Sequence, residues 1–256
     1  MIANYHTHTW RCNHATGKES QYVEAAVQRG LKILGFSDHT PYLFPGDYYS
    51  RFRMRPGQLD DYVSTVLALR DENRDRLEIH LGLELEYYPA HLPQLLELLR
   101  DRPVEYLLLG QHFVGNEIGE HYSGNPTGDE AILKKYCHQA MDAMNTGLFT
   151  YFAHPDLIYF TGDSKVYRRF MHQVCAEAKS CGIPLEINLL GISGRRNYPN
   201  GLFWEIAGEE GCNAVLGCDA HAPKALTDLQ PEQKALELAV RHGIRVLETV
   251  PLRPIR

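Results

Sequence analysis

The chain is predicted to be an α/β protein folded as a parallel barrel. Three observations carry that expectation. Short apolar or β-branched runs alternate with longer amphipathic stretches; seven or eight such βα units fit within 256 residues; and nearly every strand candidate ends in a histidine or a carboxylate. Strands alternating with helices imply parallel pairing. A barrel gathers the C-terminal ends of all its strands, whereas an open sheet gathers only those beside its switch point. Periodicity alone does not separate the two, but the strand ends favour the barrel.

The elements follow in order. Strand 2–8 ends in His6 and His8, which alternate onto one face, with His14 in the loop beyond. A helical stretch near 19–30 leads to strand 31–37 (LKILGFS), which runs into Asp38 and His39. After a helix near 58–76, strand 77–86 (LEIHLGLELE) carries Glu84 and Glu86. These two share a face, so the residues alone leave either as the functional carboxylate. A helix near 91–100 precedes strand 105–112 (EYLLLGQH), ending at His112; a helix near 129–146 precedes strand 149–153 (FTYFA), ending at His154. A helix near 165–181 precedes strand 183–188 (IPLEIN), which carries Glu186 and Asn188 and leads to Arg195 and Arg196. A helix near 200–210 precedes strand 213–217 (NAVLG), which runs into Asp219 and His221. A last helix, 231–242, and a further strand, 244–249 (IRVLET), can close or flank the sheet.

Composition bounds the function. The formal charge of −6 argues against nucleic acid as a partner. The six cysteines form no C-x-x-C pair, which suits free thiols in a reducing cytoplasm. No secretory signal pattern and no apolar run of membrane-spanning length is visible, so a cytoplasmic protein with no membrane partner is expected. No linker or repeat divides the chain, and 1–256 reads as a single domain.

Taken singly, each strand-end signal has an ordinary explanation. H-x-H can be a polar strand face, D-H before proline a turn, and a buried Glu half of a structural ion pair. Seven strand ends doing this together point to a shared site. Imidazole with carboxylate suits Zn, Mn, Fe or Co, and the donors are enough for two or three ions with one carboxylate bridging. Multinuclear sites of that kind activate water and stabilise charge on a transferring phosphoryl group. His80 precedes the Glu84 end of its strand by most of the strand, His138, His172 and His242 fall on the helical stretches, and His91 and His121 read as surface or loop residues.

In order and spacing these motifs resemble the PHP (polymerase and histidinol phosphatase) metal-dependent phosphoesterases. The resemblance rests on HTHT near residue 6, GFSDHTPY at 35–42, GLELEY at 82–87, GQHF at 110–113, AHPDLI at 153–158, EINLLGI at 186–192 and GCDAHAP at 217–223. The stretch RFRMRPGQLDDYV at 51–63 resembles the histidinol-phosphatase branch. What the resemblance implies is a distorted seven-stranded (β/α) barrel with up to three divalent ions. His6, His8, Glu84 and Asp219 would hold one ion, Glu84 would bridge to a second held by His112 and His154, and His14, His39 and His221 would hold a third. Cys218 stands where the family often has serine, placing a thiol near the ions.

The implied reaction is hydrolysis of a small phosphate monoester, most closely L-histidinol phosphate, with Glu84, Asp219 and His221 as catalytic residues. Arg195 and Arg196 are candidates for gripping the phosphate in a fork geometry. Asp38 and Asp156 could orient neighbouring imidazoles, and Tyr122 could protonate the leaving group. Tyr42, Asp47, Tyr48 and Tyr49 could receive the substrate's ammonium and imidazole. Another small phosphate ester is the alternative substrate. An amidohydrolase-like enzyme, which also opens with H-x-H, is weaker because EYLLLGQH offers no bridging lysine. The oligomeric state is not legible.

Overall fold

The computed structural model describes residues 1–255. Ala3–Asn4 forms β1, Glu19–Arg29 α1, Ile33–His39 β2, Leu59–Asn73 α2, Glu78–Leu85 β3 and Leu92–Leu99 α3. Then follow Tyr106–Gly110 as β4, Phe113–Val114 as β5, His121–Tyr122 as β6, Glu130–Asn145 as α4, Phe149–Ala153 as β7 and Ser164–Ser180 as α5. Leu185–Asn188 forms β8, Leu189–Ser193 α6, Gly201–Glu209 α7, Asn213–Gly217 β9, Gln230–Arg241 α8 and Arg245–Val246 β10. Local chemistry sets several boundaries. Asp129, Asp163 and Asn200 cap α4, α5 and α7 by accepting from first-turn amides. Gly30, at φ 83°, ends α1 in the left-handed conformation that glycine adopts freely.

Eight parallel strands curl in the order β1-β2-β3-β4-β7-β8-β9-β10, and β5 with β6 forms a separate antiparallel ribbon. The curl closes only at one end. Beyond β1, Thr7 O still accepts from Ser37 N–H of β2 at 2.8 Å, and Thr7 bridges Ala220 just after β9. There His8 N–H donates to Ala220 O at 3.0 Å, and Ala220 N–H donates to His6 O at 3.2 Å. At the opposite end β10 takes the place beside β9. The result is a distorted barrel. The expected strand 2–8 keeps only Ala3–Asn4 as a regular strand, and its second half sits between Ser37 of β2 and Ala220 through isolated bonds. The expected strand 244–249 flanks β9 through two residues.

One apolar core lies between sheet and helices, and a smaller one fills the barrel. The latter contains Tyr5, Tyr106, Leu108, Tyr151 and Val215. Tyr106 occupies space left by Gly35 and Gly82, where a Cβ would come within 2.2 and 2.3 Å of its ring and hydroxyl atoms. Its hydroxyl donates to Tyr5 O at 2.7 Å. Each such side chain withdrawn from water contributes roughly 1.5–3 kcal/mol, and together they make a dry floor beneath the strand ends. Among the described residues no helix is long and apolar enough to cross a membrane.

Candidate metal centre

At the closed end of the barrel, Glu84 sits wholly buried at the end of β3 and faces five imidazoles. Its Oε1 lies 2.8 Å from His154 Nε2 and 3.6 Å from His112 Nε2. Its Oε2 lies 3.0 Å from His39 Nδ1, 3.5 Å from His8 Nε2 and 3.6 Å from His6 Nε2. Gly110 on β4 makes this position possible, since a Cβ there would stand 2.1 Å from Glu84 Oε1. Asp219 Oδ1 lies 3.2 Å from His8 Nε2 and 3.5 Å from His6 Nε2. His14 and His221 face each other, Nε2 to Nε2, at 2.8 Å.

His154 and Asp219 both hold left-handed backbone, at φ 32° and 46°. Such strain in non-glycine residues concentrates at functional sites, where the surroundings enforce it. Here it turns each side chain from the end of its strand back over the barrel mouth.

Burial opposes ionisation of Glu84, yet His112, His39 and His6 outweigh it and hold the carboxyl well below its usual range. Asp219 is likewise lowered against its burial by His6 and His8. Burial would depress His6, but Glu186, Asp219 and Glu84 raise it to about 10. Burial and the nearby His8 press His221 down to about 3, and burial holds His39 well below its ordinary value. The site thus mixes anionic carboxylates, imidazoles that seek a cation and imidazoles that refuse a proton.

The donor set fits divalent metal. His8 Nδ1 and His154 Nδ1 are buried without a hydrogen-bond partner, and His39 Nδ1 and Glu84 Oε2, though 3.0 Å apart, form no aligned hydrogen bond, which is costly unless something else engages them. Triads of donor atoms within 4.8 Å of one another include His6–His8–Asp219, His6–Glu84–His154, His8–His39–Glu84 and His14–His39–His221. Spacings of this order suit ligands that each reach an ion over about 2.0–2.2 Å.

Several flanking groups orient the imidazoles. Glu186, wholly buried on β8, accepts from His6 Nδ1 at 2.8 Å and from His154 N–H at 2.9 Å. Glu86 accepts from His112 Nδ1 at 2.7 Å. The ambiguity between the two strand-three carboxylates thus separates by height: Glu84 faces the donors and Glu86 stands behind one of them. Asp38 Oδ1 lies 3.5 Å from His8 Nδ1, while its Oδ2 accepts from Thr9 N–H at 3.2 Å.

Asp156 departs from expectation. It meets no imidazole; it accepts from Asn200 N–H and from Trp204 Nε1 at 3.1 Å, fixing the start of α7. Cys218 also departs, packing into the apolar core, where burial pushes its thiol up to about 12. The thiol beside the donors is Cys12, grouped with His8 and His221.

Over the donors lies a cavity of about 410 Å³ lined by His14, His39, His112, Asp219 and His221 below and by Phe52, Phe113, Tyr122, Arg196 and Tyr198 around it. Arg196 reaches this cavity and donates to Tyr198 Oη at 2.7 Å. Arg195, with φ 51°, lines an adjoining groove instead. The segment expected to receive an ammonium turns away. Tyr42 is buried with its hydroxyl on Glu86 O, Tyr48 donates to Glu117, Tyr49 donates to Arg53 O, and Asp47 is exposed. Phe52 is the member of that loop facing the cavity, and Phe113 joins it from β5. Neither carried a signal in the sequence beyond being apolar near a motif. His80 pairs with Glu105 and His172 with Glu210, both away from the centre.

Comparison with known proteins agrees with the geometry. The model of the PHP domain family matches residues 4–189. A probable histidinol-phosphatase of Deinococcus radiodurans is 30% identical over 234 residues, covering 87% of each chain. The histidinol-phosphatase of Bacillus subtilis is 25% identical over 251 residues, covering 84% of this chain and 92% of its own. The crystal structure of a histidinol phosphate phosphatase from Lactococcus lactis, complexed with zinc, L-histidinol and phosphate, superposes with a TM-score of 0.76. It is 21% identical and covers 97% of this chain and 96% of that one, a likeness of fold.

Proposed function

The chain belongs to the PHP domain family, and from that premise we propose that it is a metal-dependent phosphatase hydrolysing L-histidinol phosphate to L-histidinol and phosphate. The observation that carries the reading is the position of Glu84, with imidazoles gathered at each of its two oxygens. His6, His8, Glu84 and Asp219 would hold one divalent ion, Glu84 with His112 and His154 a second, and His14, His39 and His221 a third. Zn, Mn and Fe all suit this donor set. When bound, such ions activate water and neutralise charge on the transferring phosphoryl group.

The protein's own groups do the rest. Arg196, at the cavity wall, is placed to grip a phosphate oxygen, and Tyr198 holds its guanidinium in orientation. Tyr122 lines the same wall; its hydroxyl, protonated at neutral pH and raised further by burial, can donate toward a leaving alkoxide. Phe52 and Phe113 offer aromatic faces to a planar leaving group. The relatives' names, matched over most of each chain, support histidinol phosphate among monoesters. A different small monoester stays in the test because Asp219, the one carboxylate in the cavity lining, is assigned to the first ion and leaves no carboxylate there for an ammonium. Assay of the metal-replete protein on a panel of phosphate monoesters decides it. Turnover led by L-histidinol phosphate is expected; equal rates on all would make it a general phosphoesterase.

A further inference from the structure

Two segments cover the cavity. One is the loop 41–58 between β2 and α2, which contributes Phe52; the other is the β5–β6 ribbon, which contributes Phe113 and Tyr122. The rings of Phe52 and Phe113 stack with centroids 5.8 Å apart and planes inclined by 19°. Beneath Phe52 lies Arg53, only 1% exposed although it carries a full charge. Its Nε donates to Glu117 Oε2 at 2.8 Å, and its Nη1 donates to Glu86 Oε2 at 2.7 Å. Glu117 belongs to the turn of the ribbon, and its other oxygen accepts from Tyr48 of the loop at 2.9 Å. The other oxygen of Glu86 accepts from His112 Nδ1 at 2.7 Å. The guanidinium also sits 4.5 Å from the centre of the Phe52 ring.

We propose that Arg53 is a positioning residue, one buried guanidinium that ties both covering segments to each other and, through Glu86, to the imidazole of His112. The proposal rests on the phosphatase reading of the same site. Arg53 touches neither the donors nor the cavity; it acts through its two carboxylate partners. Its planar fork reaches Glu117 and Glu86 at once, a span that an ammonium cannot cover with fixed geometry. Holding Glu86 on His112 Nδ1 fixes that ring's tautomer and leaves Nε2 turned toward Glu84. Holding Glu117 keeps Phe113 stacked on Phe52. Closure of the cavity and presentation of a metal ligand thus share one hub.

The test compares Arg53→Lys, Arg53→Met and Glu117→Gln as full-length, metal-loaded proteins. Competition with a chromogenic chelator, resolved into its separate steps, reads the affinity of the ion assigned to Glu84, His112 and His154, and kinetics on L-histidinol phosphate read kcat and KM. Arg53→Met is expected to weaken that ion 10–100-fold, the usual effect of losing an orienting partner behind a ligand, and to raise KM about tenfold. Arg53→Lys should recover part of the metal affinity, since an ammonium can still reach Glu86, but not the low KM. Glu117→Gln should raise KM more than it lowers kcat, with metal affinity within twofold of the wild type. Should Arg53→Met fail to fold, the other two variants still decide. Wild-type metal affinity and KM in all folded variants, with only lowered melting temperatures, would overturn the proposal. If the wild type hydrolyses no monoester, the phosphatase reading fails on its own, and the chelator competition still decides Arg53.

Discussion

Glu186 Oε1 accepts a hydrogen bond from His6 Nδ1 at 2.8 Å, and both side chains are wholly buried. Its Oε2 accepts from His154 N–H and from Asn188 Nδ2, each at 2.9 Å. One carboxylate therefore orients the imidazole of His6 and pins the backbone of His154, two residues assigned to different ions. Glu186→Gln places an amide donor against groups that already donate, so a 10–100-fold loss of metal affinity is expected. Metal titration of the stripped protein measures it. Gly217→Ala should act in the same direction, because its Cβ would stand 1.6 Å from Glu186 Oε1.

Purified without chelators, the protein should carry more than one divalent ion per chain. Glu84→Ala should lose both metal and turnover, since it removes the carboxylate common to two assigned ions. Glu86→Ala should weaken only the ion assigned to His112, at least as much as Arg53→Met does, keep the others, and lose turnover less severely than Glu84→Ala. Elemental analysis alongside phosphatase assay gives the ranking, and the reverse order would exchange the roles of the two residues.

The two arginines should separate. Arg196→Ala removes a charged contact from the cavity wall and should lower kcat/KM by roughly 2 kcal/mol, the lower end for a charged pair because the side chain is partly open to solvent. Arg195→Ala, on the adjoining groove, should stay within about 0.5 kcal/mol. Metal content should be unchanged in both. Equal effects would move the phosphate contact away from Arg196.

Among substrates, L-histidinol phosphate should lead, a generic aryl phosphate should follow, and diesters should stay near background. A diester presents one fewer charge to the cation cluster and carries an extra substituent that the closed cavity must admit. A preference for diesters in the same panel would sink the monoester reading.

Asp156 supplies a pH test outside the donor set. Burial raises its carboxyl from 3.8 to about 7 despite the hydrogen bonds from Asn200 and Trp204. A carboxyl whose pKa is raised on folding stabilises most below its unfolded value, and that contribution is lost as pH rises through the folded value. Between about pH 4 and 7 the wild type should therefore lose stability with rising pH relative to Asp156→Asn, by a few kcal/mol in all. Denaturant melts of both proteins across that range check it, and parallel slopes would refute it.

Much of this centre was legible in the sequence because strand ends and ligands coincide. The bounds of β7 and β9 match their predicted ranges residue for residue; His39 and Glu84 stand at the ends of their strands, and His6, His8, His112, His154, Asp219 and His221 follow theirs within four residues. What escaped was contact between distant segments. Nothing near Glu186 says that His6, 180 positions earlier, will lie against it. The hub function of Arg53 depends on Glu117 in a ribbon of two-residue strands, too short for any periodic signal. Asp156 looked like a ligand's neighbour because it follows His154 closely, but the left-handed turn at His154 sends the two side chains to different places.

The single-ended closure of the barrel bears on how the native state is reached. Thr7 and Ala220 meet across nearly the whole chain, a contact whose entropic cost falls late in folding and slows it. The assigned first ion draws on both sides of that seam, His6 and His8 from one and Asp219 from the other. Its complete set of ligands exists only once the ends have joined. An ion that binds this state and not the open chain stabilises it in proportion to the logarithm of its free concentration over its dissociation constant. On that assignment the metal would also be a clasp, and metal supply would shift how much of the chain persists in its closed form.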